Sequence, residues 1–382
     1  ECAAEIVITA SHNPPNWNGF KFKPGYGGSA SPDIVSKLED FISDVEISQE
    51  ISSISIEKGL DMGLIEKINP EPSYMNHIAG MVNLKLIRDS GLNVVIDSMH
   101  GAGANYISKL LEGGSTKTFE IRSEINTDFP GMAQPEPIES NLTPLKDKII
   151  ELNGDVGLAT DGDADRLGIM DEEGTYISTL HTFALICNHL IRDLKMSGPI
   201  VKSITMTSMI EKLGDINKIP VINTPVGFKY LGPVMMEENA IAAGEESGGY
   251  GFQGHIPERD GILSGLMILN MMALTEKNPS ELIIDLEEIV GPHHYSRIDT
   301  EFDPKNKVQI IEKVSSTHPK SIAGIPVLKI DDQDGYKFIL QDNYWGLIRF
   351  SGTEPLMRIY AEGKDAKMVT EILSECQSYT RI

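Results

Sequence analysis

The chain has 382 residues, 40% of them hydrophobic, which exceeds the usual size of one domain and supplies ample material for two to four cores. Its 33 basic and 56 acidic side chains leave a formal net charge of −23, which argues against nucleic acid as a partner and requires any phosphorylated substrate to meet cations focused locally against that field. Cys2, Cys187 and Cys376 show neither metal-ligand spacing nor a disulfide framework, as fits a reducing cytoplasm, and neither a membrane-length apolar run nor a signal peptide is present.

The chain opens on a strand, Ile6 to Ile8, that runs into Thr9-Ala-Ser-His-Asn-Pro-Pro15. Pro14 and Pro15 stiffen this loop and block a helix, so Ser11 is expected on an exposed, rigid turn. A serine held in this way can be a nucleophile or phosphoryl carrier, with His12 beside it and Lys21 as a cation or proton-transfer group. The structural alternative is that His12 packs the loop and Trp17 anchors it. A glycine-rich loop, Gly25-Tyr-Gly-Gly-Ser, precedes a predicted helix over Asp33 to Ile42, and it lacks the spacing of a dinucleotide or P-loop site. Residues 43 to 69 read as acidic and irregular, and a first domain is expected to end at 70.

A helix is predicted over 73–89, a buried strand over Leu92 to Asp97, a helix over Ala104 to Leu111 and a strand over Lys117 to Ile121. His100, just before Gly101 and Gly103, is read as loop structure. The succession is βαβ-like, so parallel pairing is expected. A short apolar strand, Asp155 to Thr160, then enters Asp161-Gly-Asp-Ala-Asp-Arg166. Three carboxylates this close repel, and they become economical around a hard divalent cation, most simply Mg²⁺. The alternatives are a solvated acidic turn or a structural calcium loop, although the spacing does not fit the helix-loop-helix calcium signature. At the C-terminal edge of a parallel strand, the loop lies where open α/β sheets place ligands.

The third segment, 174–290, carries helices over Ser178 to Lys195 and Ser208 to Leu213 and a strand over Ile200 to Ile204. A strand-to-loop transition ends at Lys229, a phosphate or sugar ligand candidate. Glu245-Glu-Ser-Gly-Gly249 offers two adjacent carboxylates, Glu245 and Glu246, and Ser247 to vicinal sugar hydroxyls while the glycines remove bulk, and His255 and Arg259 can add polar contacts or lie on the surface. The helix Ile262 to Leu274 reads as core. From 291 the pattern becomes a smaller α+β unit, with strands over Tyr295 to Asp299, Ile325 to Ile330, Lys337 to Leu340 and Trp345 to Phe350 and a closing helix over Asp365 to Thr380. Arg349, Ser351, Gly352 and Thr353 form a phosphate cradle in Arg349-Phe-Ser-Gly-Thr-Glu-Pro355, with Arg358 as a second clamp. A solvent-facing charged turn is the alternative.

These loops, in content and order, resemble the signatures of the α-D-phosphohexomutase family, which includes phosphoglucomutase, phosphomannomutase and phosphoglucosamine mutase. The resemblance covers essentially the whole chain. It implies a multidomain α/β architecture of three similar mixed-sheet domains and a C-terminal α+β domain, divided at 1–70, 71–173, 174–290 and 291–382. It further implies that Ser11 carries the phosphoryl group, that Asp161, Asp163 and Asp165 hold Mg²⁺ with a phosphoserine oxygen, that Arg166 lies beside the transferring phosphate and that Lys21 lies near the reacting hydroxyl. Glu245 and Ser247 would contact sugar hydroxyls, and the loop after Arg349 would bind phosphate. Family members carry most of a domain before the phosphoserine loop, so a sequence lacking upstream residues, with a partial first domain, is expected. Gly249 stands where some bacterial members have histidine, which lowers the odds of the glucosamine enzyme.

The expected function is conversion of hexose 1-phosphate to hexose 6-phosphate through a phosphoserine enzyme and a bound hexose 1,6-bisphosphate, with Lys21 in acid/base work and His12 orienting the loop. Phosphoglucomutase is favoured, with phosphomannomutase or a dual-specificity enzyme as the alternative. A sugar phosphatase or a silent sugar-phosphate binding protein are the rivals. The expected partners are hexose phosphates, with no nucleic acid or membrane, and a monomer or homodimer in the cytoplasm.

Overall fold

The computed structural model describes residues 2–351 and 355–381. At the start, β1 (Ala4–Ile8) and β2 (Phe20–Pro24) form an antiparallel ribbon with Ile6 opposite Phe22. The connection between them is the Ser11 loop. Helix α1 (Pro32–Ser48) continues past Ile42 because neither Gly nor Pro interrupts Ser43 to Ser48, and it stops at Gln49 with φ 56°. A short α2 (Ile56–Asp61) is capped by Ser55, whose side chain accepts from the Lys58 N–H. The stretch expected to be irregular therefore holds the end of one helix and the whole of another. Trp17 is 63% exposed and anchors nothing, and Ile6, Ile8, Phe20, Phe41 and Ile47 are also exposed.

The second unit contains α3 (Glu71–Ala79), α4 (Leu84–Asp89), β3 (Asn93–Asp97), α5 (Tyr106–Leu111), β4 (Lys117–Ile121), α6 (Thr143–Leu152), β5 (Val156–Thr160), β6 (Leu167–Met170) and β7 (Tyr176–Ile177). The single helix expected over 73–89 breaks after Gly80, and the Asn83 side chain restarts it by accepting from the Leu86 N–H. The sheet order is β4-β3-β5-β6-β7, with the first three strands parallel and the rest antiparallel. Every residue of β5 is buried, as a central strand covered on both faces requires.

The third unit contains α7 (Thr179–Arg192), β8 (Ile200–Ser203), α8 (Met209–Asn217), β9 (Val221–Thr224), α9 (Phe228–Glu237), β10 (Ala242–Gly244), β11 (Tyr250–Phe252), α10 (Gly261–Thr275) and α11 (Pro279–Val290). Its sheet order is β11-β10-β8-β9, with only β11 antiparallel. Helix α10 is buried from Gly261 to Ala273. One hydrophobic cluster joins its Leu263, Leu266 and Leu269 to Ile107, Leu158 and Leu167 of the second unit and to Phe183 and Ile210 of the third. A side chain at Gly265 would press Ile107 and Leu158 at 3.3 Å.

The last unit is an antiparallel sheet in the order β12-β17-β16-β15-β14-β13, formed by β12 (His294–Glu301), β13 (Ser321–Ile322), β14 (Ile325–Asp331), β15 (Tyr336–Leu340), β16 (Trp345–Phe350) and β17 (Leu356–Gly363). Helices α12 (Lys307–Ser316) and α13 (Ala366–Ser378) contribute Ile310, Val314, Ile372 and Leu373 to its separate core. Among the described residues no helix is long and apolar enough to cross a membrane.

Candidate active site

Two loops distant in sequence meet at the end of β5. Gly162 sits so close to the Ser11 loop that a Cβ there would lie 2.5 Å from the Ser11 carbonyl oxygen. The Thr9 hydroxyl donates to Asp163 Oδ2 at 3.1 Å, and Lys21 Nζ donates to the same oxygen at 3.3 Å. Thr9 Oγ1 in turn accepts from the Ser11 N–H at 2.8 Å, which helps hold Ser11 in the left-handed region at φ 54°. Ala164, inside the acidic loop, is also left-handed at φ 61°. Such conformations in residues with a side chain cost on the order of 1–3 kcal/mol and persist where surrounding contacts determine the backbone. His12 Nδ1 lies 3.3 Å from Ser11 Oγ. Burial, then the neighbouring Arg166, hold the His12 ring below its ordinary pKa.

The acidic loop is cradled on three sides. Ala102 N–H donates to the Gly162 carbonyl at 3.0 Å, Gly162 N–H donates to the Pro135 carbonyl at 3.1 Å, and Gly261 N–H donates to the Ala164 carbonyl at 2.9 Å. The last contact brings the amino end of α10, with its positive dipole, against the carboxylates. Asp161, Asp163 and Asp165 each offer one oxygen to a common centre, these atoms lying within 4.8 Å of one another. Asp161 Oδ2, Asp163 Oδ1 and Asp165 Oδ1 are buried without a hydrogen-bond partner among the described residues. Burial, then the neighbouring carboxylates, push Asp161 well above the ordinary carboxylate range; burial also raises Asp165, against the pull of Arg259. Burial would raise Asp163 too, but Lys21 and Thr9 outweigh it and hold that group low. Three orphaned oxygens converging in a buried, mutually repelling set fit a hard divalent cation.

A cavity of about 380 Å³ opens beside these loops, lined by Arg166, Lys229, Glu245, Ser247, Arg259, Arg349 and Arg358 together with Glu246, Arg297 and Tyr360. It concentrates cations within a strongly acidic chain, the local focusing that a phosphorylated ligand demands. Arg349 Nε donates to Asp334 Oδ2 at 2.9 Å, and that oxygen also accepts from the Val226 N–H at 2.9 Å. Glu245 Oε1 accepts from the Gly227 N–H at 2.7 Å, so the sugar-loop carboxylate also fixes the turn that carries Lys229. Arg259 joins the loops: its Nη2 lies 2.7 Å from Asp165 Oδ2, its Nη1 3.6 Å from Glu245 Oε2 and its Nε 3.3 Å from Glu258 Oε1. Lys23 also pairs with Glu258, which ties β2 to the same knot.

His255 departs from the expectation. It does not line the cavity; its Nε2 lies 3.0 Å from Asp260 Oδ2 and its ring stacks on His77 with centroids 5.1 Å apart. The turn at Ile256-Pro257 sends His255 and Arg259 in different directions, so the histidine supports the cap of α10. Ser351 is buried at the end of β16, and its carbonyl accepts from Lys307 Nζ at 3.3 Å. Gly352 and Thr353 lie outside the described residues. His100 Nδ1 lies 2.9 Å from the Glu124 carbonyl oxygen, in loop structure as read. Glu136 and Arg297 escape sequence reasoning, whereas Glu246 is the second of the adjacent carboxylates expected to meet sugar hydroxyls. Glu136 pairs with Arg166, Arg297 lines the cavity, and Glu246 Oε1 accepts from Tyr295 Oη at 2.8 Å and Arg297 Nη1 at 3.2 Å. Only Pro135-Glu-Pro137 gives a signal, a carboxylate fixed between two prolines.

The layered α/β units, the serine beside an acidic triad and the cation-lined cavity define an enzyme of phosphoryl transfer on small phosphorylated molecules. Models of the phosphoglucomutase/phosphomannomutase family match in chain order: alpha/beta/alpha domain I over residues 1–48, domain II over 72–174, domain III over 180–289 and the C-terminal domain over 301–376. A Thermococcus kodakarensis protein named phosphoglucomutase/phosphomannomutase is 31% identical over 96% of this chain and 76% of its own length. A phosphoglucosamine/phosphogalactosamine mutase from Sulfurisphaera tokodaii is 29% identical over 97% of this chain and 78% of its own. A crystal structure of a phosphomannomutase-type protein from Thermus thermophilus superposes with a TM-score of 0.82 at 28% identity, over 98% of this chain and 78% of that one. The chain belongs to the phosphoglucomutase/phosphomannomutase family of α-D-phosphohexomutases, isomerases whose chemistry passes through a phosphoserine and a bisphosphorylated sugar.

Proposed function

We propose that the protein interconverts hexose 1-phosphate and hexose 6-phosphate, with glucose phosphates as its principal substrates and Ser11 as the phosphoryl carrier. The observation that carries this reading is the meeting of Ser11 with the acidic loop at Gly162, next to a cavity that contains Lys229, Glu245, Ser247, Arg349 and Arg358. The cavity, about 380 Å³, has room for a phosphosugar and is lined with cations and hydroxyl-binding groups together.

In the forward direction O6 of hexose 1-phosphate attacks phosphorus on Ser11. An O6–P bond forms as the P–Oγ bond breaks, and Lys21 handles the proton of the reacting hydroxyl. Arg166 stabilises charge on the transferring group, and His12 orients the serine loop. Asp161, Asp163 and Asp165 would hold Mg²⁺, which when bound supplies charge neutralisation at the phosphate oxygens. The hexose 1,6-bisphosphate then turns over, and Ser11 Oγ takes up its 1-phosphoryl as the P–O1 bond breaks; Lys21 gives the proton back to O1, and hexose 6-phosphate leaves. The cradle of Arg349, Ser351, Gly352, Thr353 and Arg358 binds the distal phosphate in either orientation, while Glu245 and Ser247 meet the sugar hydroxyls. Arg259 acts from behind by bracing Asp165 and Glu245. Cys2, Cys187 and Cys376 are free thiols, which fits action in a reducing cytoplasm.

The glucose preference rests on the Glu245-Glu-Ser-Gly-Gly249 loop. Dual glucose and mannose specificity is the second reading, favoured by the paired name of the Thermococcus relative. Turnover on the 1-phosphates of glucose, mannose and glucosamine with Mg²⁺ decides. The fastest turnover on glucose 1-phosphate supports the proposal, near-equal rates on glucose and mannose support the second reading, and fastest turnover on glucosamine 1-phosphate overturns both. Bulk release of inorganic phosphate without isomerisation would instead identify a phosphatase.

A further inference from the structure

The carboxylate of Glu136 occupies an unusual place for an anion, on the rim of a site built to receive phosphate. Its Oε1 accepts from Arg166 Nη1 at 2.7 Å and lies 4.0 Å from His12 Nε2. One oxygen thus faces both the histidine beside Ser11 and the arginine that closes the acidic loop. The other contacts of the Arg166 guanidinium are looser: its Nε lies 3.8 Å from Asp161 Oδ2 and 3.9 Å from Asp165 Oδ1, and that nitrogen has no hydrogen-bond partner among the described residues. Glu136 is therefore the short contact that gives this guanidinium its direction.

Glu136 is itself held from behind. Its Oε2 accepts from Gln134 Nε2 at 2.7 Å, and Asn141 Nδ2 donates to the carbonyls of Gln134 and Glu136 at 3.1 and 2.8 Å. The Asn141 carbonyl accepts from Arg122 Nη2 at 3.1 Å, and Arg122 Nε donates to the buried Asp97 at 2.7 Å. The support thus runs from the end of β3 to the tip of Glu136. The Pro135 carbonyl meanwhile accepts from Gly162, so the segment that aims Glu136 also supports the acidic loop. An anion here repels an incoming phosphate, a cost that is offset only if the carboxylate contributes elsewhere in the cycle. Orienting a planar, forked cation is such a contribution, because a bidentate donor in a fixed plane is useful only when the plane is fixed.

We propose that Glu136 is a positioning residue for phosphoryl transfer, setting the Arg166 guanidinium and the His12 ring for a phosphoryl group carried by Ser11. The proposal rests on the reading of Ser11 as the carrier. Its test uses the full chain and the variants E136A and E136Q, with mutase kcat and KM measured on glucose 1-phosphate and phosphoenzyme followed by intact mass after incubation with glucose 1,6-bisphosphate. In E136A kcat should fall about 100-fold, the scale of a 1 Å misplacement, with KM changed less than about threefold. E136Q keeps an oxygen that accepts from Arg166 and should recover kcat to within about tenfold of the native chain. An E136A kcat within about threefold of native, or an E136Q as impaired as E136A, overturns the proposal. If E136A does not fold, E136D, which withdraws the carboxylate by one methylene, replaces it under the same criteria. Absence of any phosphoenzyme on the native chain would instead remove the carrier reading, so the two failures are distinguishable.

Discussion

Arg259 and Asp165 meet at 2.7 Å, joining the loop that follows the third unit's sheet to the acidic loop of the second. Because Arg259 also faces Glu245 and Glu258, one guanidinium keeps three carboxylates in a confined space. Arg259→Met strips Asp165 and Glu245 of this cation and leaves Glu258 to Lys23 alone. We expect a loss of about 3–5 kcal/mol of stability, the usual result of removing one partner of a buried ion pair, and a fall in kcat of about 100-fold. Denaturant titration and a coupled mutase assay check both; native kcat with an unchanged midpoint would show that the pairing is incidental.

Gly249 is the space through which this arginine passes. A Cβ there would sit 2.2 Å from Arg259 Cδ, so Gly249→Ala must displace the clamp even though it adds one methyl. The expected result is a kcat reduced about tenfold or more, with Mg²⁺ titration and substrate saturation measured on the same preparation. Activity within about twofold of native would mean that Arg259 has slack that the present contacts do not reveal.

Ser11→Ala should abolish turnover and phosphoenzyme formation while leaving thermal unfolding unchanged, since Ser11 Oγ bonds only its neighbour His12 at 3.3 Å among the described residues. Asp163→Asn removes a charge facing Lys21 and one oxygen of the triad. Its Mg²⁺ affinity by titration calorimetry should drop at least about tenfold. Turnover by the alanine variant, or unaltered metal affinity in the asparagine variant, would count against the assignment concerned.

Lys337 provides a pH signature away from the chemistry. Its Nζ is buried, donates to the Ile204 carbonyl at 2.6 Å and lies 4.2 Å from the Trp345 ring centroid. Burial, then the adjacent Lys202, pull its pKa down to about 7, whereas an unfolded lysine titrates at about 10.4. Between those values the unfolded chain binds a proton that the folded chain does not, so this group's contribution to stability rises with pH. Below about pH 7 both states are protonated and the contribution no longer changes. Relative to Lys337→Met, the native chain should gain in unfolding midpoint from about pH 7 to about pH 9. A constant difference across that range would exclude the shift.

What is legible in the sequence is local. Asp161 to Arg166 and Thr9 to Pro15 stand out because each packs reactive groups and turn formers into a few residues, and β4 and β16 end where their apolar periods end. What escapes depends on partners far along the chain. Nothing beside Arg259 in sequence reveals Asp165, and Glu136 lies in a stretch that reads as a proline-rich connection until Arg166 is placed against it. His255 misleads for a related reason: one short polar run carries it with Arg259, and the intervening turn separates them. The break between α3 and α4 is hidden because Gly80 alone is a weak stop signal; the cap at Asn83 completes it. The central strand β17 is masked by the phosphate loop that precedes it.

Helix α10 belongs by sequence to the third unit and by packing to both the second and the third. The two units are in consequence a single heritable block. A recombinant that joined this second unit to a relative's third would inherit a foreign helix in the middle of its core, and the acidic loop would be seated on the wrong neighbour before any substrate arrived. A change in sugar choice through the Glu245 to Gly249 loop must therefore arise inside this block, by substitution in place rather than by exchange of a unit, with the helix beneath the acidic loop held constant.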